Sequence, residues 1–196
     1  MNKQQIDLSR LTNALRQLNE QLLLMGAPAT ELVVCGGSAL IATGLILRTT
    51  SDVDIIAFMS SNELKESEPL PDYLLRAASN VGRAMGLPGD WLNNGPASQF
   101  RMGLPDGFKE RLHSFVIGEK LTMHYIGRYD QIFFKTYASA DRGGYHVSDL
   151  RALNPSEHEL MAAAKWCMTQ DVSDEFRGVL KDMFLQLGWK NVSKRI

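Results

Sequence analysis

Apolar residues recur three and four positions apart near the start of the chain, and this spacing predicts an amphipathic helix. The residues that carry it are Leu8, Leu11, Leu15, Leu18, Leu22 and Met25. Gly26 and Pro28 follow and end the predicted helix. A coiled-coil seam has similar spacing, but it is sustained over roughly 3–4 heptads, which this stretch does not reach. A helix facing the core is therefore favoured.

Short apolar runs then alternate with glycine. Residues 32–35 and 53–58 are β-prone and predict two strands. Between them, Gly36 and Gly37 predict a turn that leads into a short helix over residues 38–42. A strand, a turn, a short helix and a second strand indicate an α/β or α+β domain.

The remainder of the chain is predicted to be mostly helical. A β-hairpin is expected over residues 113–126, around Gly118-Glu119-Lys120. Loops are expected over residues 60–70 and 90–107, and a solvated basic tail over residues 190–195. Helices are predicted over residues 73–85, 129–140 and 173–187, and after Ser156, which has Glu159 at capping-box spacing.

These elements predict an α+β fold in two parts. Residues 1–127 are expected to form a short mixed sheet flanked by helices, beginning with the N-terminal helix. Residues 128–196 are expected to form a helical C-terminal part packed on that domain. We find no internal repeat or low-complexity segment in the chain.

Composition narrows the class of protein without indicating a function. The chain has 196 residues, of which 44% are hydrophobic and 22% charged, and a net charge of −1 gives no global argument for nucleic-acid binding. No apolar run approaches the roughly 18 residues of a membrane helix, and a signal peptide is not recognisable. Cys35 and Cys167 are too few for a disulfide framework or a four-ligand zinc site. We expect a soluble cytoplasmic protein without a membrane partner.

The first candidate chemistry is a pair of acids, Asp52 and Asp54. Residues two apart in a strand point to the same face, so these carboxylates are predicted to project side by side. Their like charges repel, and a divalent cation between them would relieve that repulsion. Mg²⁺ suits such a site, because it takes one or two carboxylates and completes its shell with water and phosphate oxygens.

The second candidate is the Gly36-Gly37-Ser38 turn. Two glycines let the backbone approach a ligand closely, and the start of a helix offers unpaired amides and a favourable dipole to phosphate. The Ser38 hydroxyl adds a further phosphate contact. Each motif also has an ordinary structural interpretation, since serine often caps a helix and aspartate often caps a strand end. Together, and in this order, they indicate a site for a nucleoside triphosphate.

Gly-Gly-Ser, a helix that ends in glycine, and Asp-x-Asp on a strand resemble the minimal nucleotidyltransferases of the polymerase-β superfamily. The form Gly36-Gly37-Ser38-Ala39…Arg48-Thr49-Thr50-Ser51-Asp52-Val53-Asp54 resembles the bacterial branch that includes the AbiEii-type toxins. The resemblance implies a polymerase-β-type core in which Gly36, Gly37 and Ser38 hold the nucleotide phosphates. It also implies that Asp52 and Asp54 are catalytic and bind Mg²⁺ or Mn²⁺.

In that branch, a later helix supplies a lysine, and an Arg-Asp-x-x-Asp motif follows. Lys135 matches the lysine, and the resemblance implies that it contacts the triphosphate; otherwise it is an ordinary helix lysine. Its apolar neighbours suggest that its ammonium emerges into a cleft. Asp149 keeps the second acid, whereas His146 stands where the first acid would be.

Many polymerase-β-type enzymes carry a third catalytic carboxylate on a later strand. We expect that strand at residues 121–126, which contains no acid. His124 is an alternative base on that strand, although a lone histidine there is more often structural. Further alternatives are Asp106, Glu110 and Glu119, and the sequence does not rank them.

Two functions follow from this sequence. The first is an enzyme that transfers a nucleoside monophosphate from a nucleoside triphosphate to a hydroxyl of RNA, a protein side chain or a small molecule. The family resemblance favours a toxin–antitoxin or phage-defence setting with a cognate antitoxin or partner protein. The alternative is a degenerate module that binds nucleotide or a partner protein without turnover. The intact Gly-Gly-Ser and Asp-x-Asp motifs favour the enzyme, and the missing third acid favours the module.

Overall fold

The computed structural model describes residues 5–196, which fall into two compact units. The first unit runs to Arg101 and resumes over Lys109–Ile126. The second unit contains Met102–Phe108 and Gly127–Ile196. The chain between Arg101 and Lys109 thus leaves the first unit and returns to it before the last two strands.

A six-stranded mixed sheet forms the centre of the first unit. Its strands are β1 (Thr30–Cys35), β2 (Val53–Ser60), β3 (Glu63–Glu66), β4 (Leu92–Asn93), β5 (His113–Gly118) and β6 (Leu121–Tyr125). Five of them follow the order β3-β2-β1-β6-β5, and β4 pairs with β2. The β1–β6 and β2–β4 pairs are parallel, and the remaining pairs are antiparallel. The predicted α+β fold with a mixed sheet is confirmed.

Helices accompany this sheet. They are α1 (Leu8–Leu24), α2 (Gly36–Ala42), α3 (Asp72–Met85) and α4 (Ala97–Met102), with a 3₁₀ turn over Lys109–Arg111. The inner positions of α1, from Leu11 to Leu22, bury their leucines almost completely, and α1 packs against α3. The core-facing interpretation of the first periodic stretch is therefore confirmed, while Leu8 at its start is 51% exposed.

The second unit is helical. Its helices are α5 (Arg128–Asp141), α6 (Tyr145–Ala152), α7 (Glu157–Gln170), α8 (Asp174–Gln186) and α9 (Lys190–Arg195). Helix α5 packs against α6, α7 and α8, and Phe133, Phe134 and Trp166 form an aromatic cluster at its centre. The Trp166 indole nitrogen donates to the Gly103 carbonyl at 3.2 Å, which fixes the segment before Phe108 in this unit.

The predicted capping box at the start of α7 is confirmed. The Ser156 hydroxyl accepts from the Glu159 amide at 3.2 Å, and the Glu159 carboxylate accepts from the Ser156 amide at 2.8 Å. Arg128 Nη1 lies 2.5 Å from Glu159 Oε1. Hydrogen bonding to the Arg128 guanidinium lowers the pKa of Glu159 to about 2. One glutamate therefore both caps α7 and joins it to the first turn of α5.

Three segments predicted to be loop or tail contain regular structure. Strand β3 lies in residues 60–70, and β4 and α4 lie in residues 90–107. These elements have two to six residues, too few for a recognisable hydrophobic period. Residues 190–195, predicted as a basic tail, form α9, which buries Val192, with Ile196 beyond it; Lys190, Lys194 and Arg195 are exposed as predicted. Those two apolar side chains are four positions apart and so share one helix face.

No helix within residues 5–196 combines the length and the apolar character needed to cross a membrane.

Candidate functional site

The glycine turn and the two acids meet at one end of the sheet. Strand β1 ends at Cys35, and α2 begins at the next residue, Gly36. Cys35 lies in antiparallel register with Asp54, the second residue of β2. Asp52 directly precedes that strand, and both acids are half-buried. The pairing of β1 with β2 therefore brings together two motifs that are separated by 14 residues of chain.

Both glycines of this turn are in close contact with neighbouring side chains. Gly36 has a left-handed φ of +70°, and a Cβ at this position would overlap Asp54 Oδ2. A Cβ on Gly37 would lie 2.5 Å from Thr50 Oγ1 and 2.9 Å from Arg48 Nη2. Distances this short exclude a side chain unless the neighbours move. The glycines thus let the start of α2 approach Asp54 and the loop before β2.

The loop that carries Asp52 is held by its own hydroxyl and backbone groups. Ser51 Oγ donates to Asp52 Oδ2 at 3.1 Å, and Thr50 Oγ1 donates to Asp52 Oδ1 at 3.4 Å. Thr50 is fixed in turn by two backbone hydrogen bonds with the fully buried Ile6, at 2.7 and 2.9 Å. The Asp52 carboxylate is therefore oriented before any ligand arrives.

Ser38 does not cap α2. The N-cap residue is Cys35, and Ser38 lies in the first turn with no solvent exposure. Its hydroxyl donates back to the Cys35 carbonyl at 3.4 Å. The helix begins at the first glycine, two residues before the predicted start, and this places Ser38 inside it. The backbone amides of the first turn are the donors left without partners within the helix.

The strand next to Asp54 on its other side is β4. Asp54 is in parallel register with Asn93, so the residue beside the second acid is an amide. Asn93 Oδ1 accepts from the Gly95 amide at 2.8 Å. Within residues 5–196, no group of three or more His, Cys, Asp or Glu side chains is arranged to hold a metal ion. The two acids thus lack a third carboxylate of that kind.

The strand predicted for a third acid, at residues 121–126, lies two strands from the strand that follows Asp52 and carries Asp54. Residues 121–125 form β6, which pairs with β1 and β5 and not with the strand of the acids. Glu119 lies in the turn before β6, next to the pair of Thr30 with Leu121, whereas Asp54 pairs with Cys35 at the other end of β1. Five residues of strand span roughly 16 Å, so Glu119 cannot share a metal with Asp54.

The other candidate bases lie in different parts of the structure. Glu110 lies in the 3₁₀ turn before β5, and Asp106 belongs to the second unit. His124 is 8% exposed in β6, where Glu31 and Ser114 bind its two ring nitrogens.

Lys135 lies in the second unit, in the middle of α5. Its Nζ is 2.7 Å from Asp149 Oδ2, and both side chains are almost fully buried. His146 Nδ1 is 3.5 Å from the same Nζ, and the Tyr145 ring centroid is 5.5 Å away. The ammonium therefore does not emerge into an open cleft as expected, because the buried Asp149 carboxylate binds it inside the unit. Contact between Lys135 and a triphosphate stays a prediction.

An α+β fold with a glycine turn beside two closely spaced acids points to the nucleotidyltransferases as a class. The chain belongs to the family described as nucleotidyltransferase of unknown function (DUF6036), whose model matches residues 9–171. This match includes Gly36, Gly37, Ser38, Asp52, Asp54 and Lys135. Searches of curated proteins and of solved structures found no significant match to the chain.

Proposed function

We propose that the protein is a metal-dependent nucleotidyltransferase that moves a nucleoside monophosphate from a nucleoside triphosphate to a hydroxyl acceptor, with pyrophosphate leaving. One observation carries this proposal: the register of Cys35 with Asp54 places the Gly-Gly turn against the Asp-x-Asp acids. Neither motif is specific alone, but a phosphate-binding turn beside a metal-binding pair is what a triphosphate requires. Membership in a nucleotidyltransferase family supports the same conclusion.

The residues present fit a magnesium or manganese ion. Asp52 and Asp54 are half-buried and supply two carboxylates, the number that Mg²⁺ commonly takes from protein when substrate phosphates complete its shell. The absence of a larger ligand cluster in the described residues agrees with a metal that is held jointly with its nucleotide. When bound, such an ion would neutralise charge on the reacting phosphate.

The chain's own groups would bind the nucleotide phosphates and the metal. Backbone amides in the first turn of α2 would donate to phosphate oxygens, since the glycines bring that turn close to the two acids. Asp52 and Asp54 would face the metal. The buried Ser38 hydroxyl donates to the Cys35 carbonyl, so it would contact phosphate only after turning away from that carbonyl. A phosphate that contacted Lys135 would have to share its ammonium with the Asp149 carboxylate.

A second function has a specific observation in its favour. Asn93, in register with Asp54, cannot accept a proton as a carboxylate does. This favours a module that binds nucleotide or a partner protein without turnover. The resemblance to AbiEii-type toxins extends either proposal to a toxin–antitoxin or phage-defence setting with a cognate partner protein, and to RNA or protein as acceptor.

Incubation with labelled nucleoside triphosphates separates the two functions. The protein is mixed with each α-labelled triphosphate, Mg²⁺ and either total RNA or cell lysate, and acceptors and pyrophosphate are analysed. The enzyme transfers label in the wild type and not in Asp54→Asn. Binding of nucleotide without label transfer or pyrophosphate release would establish the module. If wild type and Asp54→Asn bind nucleotide identically, both functions are wrong at this site.

A further inference from the structure

A hydrogen-bonded chain of three side chains crosses the sheet away from the acids. Ser114 Oγ lies 2.7 Å from His124 Nδ1, and His124 Nε2 lies 2.8 Å from Glu31 Oε2. The three residues come from the neighbouring strands β5, β6 and β1. Ser114 and His124 are directly opposite each other, and His124 is in register with Val33, two residues beyond Glu31. The strand pairing thus places all three side chains on one face of the sheet.

The three hydrogen-bonded side chains differ in solvent exposure, and the serine is exposed, as a nucleophile must be. Ser114 is exposed, whereas the His124 side chain is only 10% exposed and the Glu31 side chain 44%. The imidazole is therefore held between two partners, with its ring largely shielded. If Nε2 carries the proton and donates to Glu31, then Nδ1 accepts from the Ser114 hydroxyl. That tautomer is the one in which histidine can remove the serine proton.

We propose that Ser114, His124 and Glu31 form a second reactive site, in which Ser114 is a nucleophile toward uncharged carboxylic esters. Ser114 Oγ attacks the carbonyl carbon while its proton passes to His124 Nδ1. The bond to the leaving alcohol then breaks, and the alcohol takes that proton. Water next attacks the acyl group, again losing a proton to His124, and the acid leaves as Ser114 recovers its hydrogen. Glu31 is a positioning residue that binds Nε2 and orients the ring.

The surroundings of Ser114 favour a neutral ester over a phosphate ester. The Glu31 carboxylate, close behind the imidazole, repels an anionic substrate. Val116, two residues along β5 and so on the same face, is 78% exposed and offers apolar surface to an acyl chain. Strand β5 ends the strand order of the sheet, and successive amides of an edge strand point alternately inward and outward.

This site is separate from the nucleotide site. Strand β5 is three strands from β2 in the sheet order, so Ser114 lies roughly 14 Å from the acids across the strands. The proposal therefore does not depend on nucleotide transfer.

A fluorophosphonate probe tests the nucleophile directly in the full-length protein. Attack by Ser114 Oγ forms an O–P bond and releases fluoride, with the hydroxyl proton passing to His124. The adduct is measured by intact mass and peptide mapping, and hydrolysis of p-nitrophenyl acetate is followed in parallel. Matched controls are Ser98→Ala, which removes an exposed serine of α4 with no histidine partner among the described residues, and Asp54→Asn.

We expect a single adduct on Ser114 in the wild type and in both controls. Ser114→Ala should lose the adduct and at least about 100-fold of the ester hydrolysis rate, which is the low end of general-base contributions. Ser114→Cys alters only an exposed side chain, and its thiol should be alkylated by iodoacetamide faster than the thiols of Cys35 and Cys167. Glu31→Gln should slow labelling about tenfold and shift the pH profile of labelling, which a purely structural role would not do. Labelling of the wild type that is absent, or that persists in Ser114→Ala, would overturn the proposal.

Discussion

Gly36 and Gly44 share a left-handed φ of +70° but have different surroundings. Nothing lies within 4 Å of a Cβ built on Gly44, whereas a Cβ on Gly36 overlaps the Asp54 carboxylate. We expect Gly36→Ala and Gly44→Ala each to lose about 1–2 kcal/mol of unfolding free energy, because both force alanine into the left-handed region. Only Gly36→Ala should also lose metal-dependent nucleotide binding, since its methyl displaces Asp54. Urea unfolding and calorimetric titration check both effects, and equal nucleotide affinity in the two variants would refute this role of Gly36.

Asp149 is expected to be the main stabilising partner of Lys135. Asp149→Asn leaves a buried ammonium without its carboxylate, a change that typically costs about 3–5 kcal/mol. The double variant Lys135→Met with Asp149→Leu removes both charges and should recover most of that loss. Urea unfolding of the single and double variants measures the difference. A single variant within about 1 kcal/mol of wild type would show that His146 and Tyr145 suffice as partners.

Among the elements, the capping box of α7 should respond to pH. The pKa of Glu159 is lowered to about 2 in the folded protein, so its ion pair stabilises the fold fully above its usual value of 4.5. The difference in free energy of unfolding between wild type and Glu159→Gln should be constant above pH 4.5 and should shrink as the pH falls toward 2. Glu175→Gln, in the first turn of α8 without an arginine partner in the described residues, is the matched control. A difference that is independent of pH between 5 and 2 contradicts the assignment.

The position of Asn93 on β4 predicts that a carboxylate placed there would raise metal affinity. Asn93→Asp places a third carboxylate in register with Asp54 and can keep the hydrogen bond from the Gly95 amide. We expect Mn²⁺ to bind at least about tenfold tighter, since a charged ligand replaces a neutral one. Asn94→Asp, one residue further along, is the control, because its amide points to the Ser67 carbonyl. Equal gains in both variants, measured by paramagnetic titration, would mean that Asn93 does not face the acids.

Elements with a clear apolar run or period could be predicted from the sequence, whereas β3, β4 and α4 could not. The stripe of leucines in α1 and the capping box of α7 are local patterns, and the structure contains both. Strand β4 has two residues, so no periodicity exists to detect, and its partner β2 is determined by tertiary packing. The position of Asn93 beside Asp54 therefore could not be found from the sequence. Lys135 and Asp149 were each identifiable from a resemblance, but their burial as an ion pair depends on how α5 and α6 pack.

In the whole molecule, the proposed nucleotide site depends on one strand pairing, that of β1 with β2. The two units are each compact, and the candidate nucleotide site lies within the first, at the end of β1 and the start of β2. We propose that Gly36, Gly37, Asp52 and Asp54 bind a metal–triphosphate complex there.

Metal-dependent nucleotide binding at Asp54 is tested by calorimetric titration of ATP, GTP, CTP and UTP into wild type and Asp54→Asn, with and without Mg²⁺. We expect at least one triphosphate to bind the wild type only with metal, and Asp54→Asn to lose this binding while it remains folded. Binding that needs no metal and survives in Asp54→Asn would contradict it.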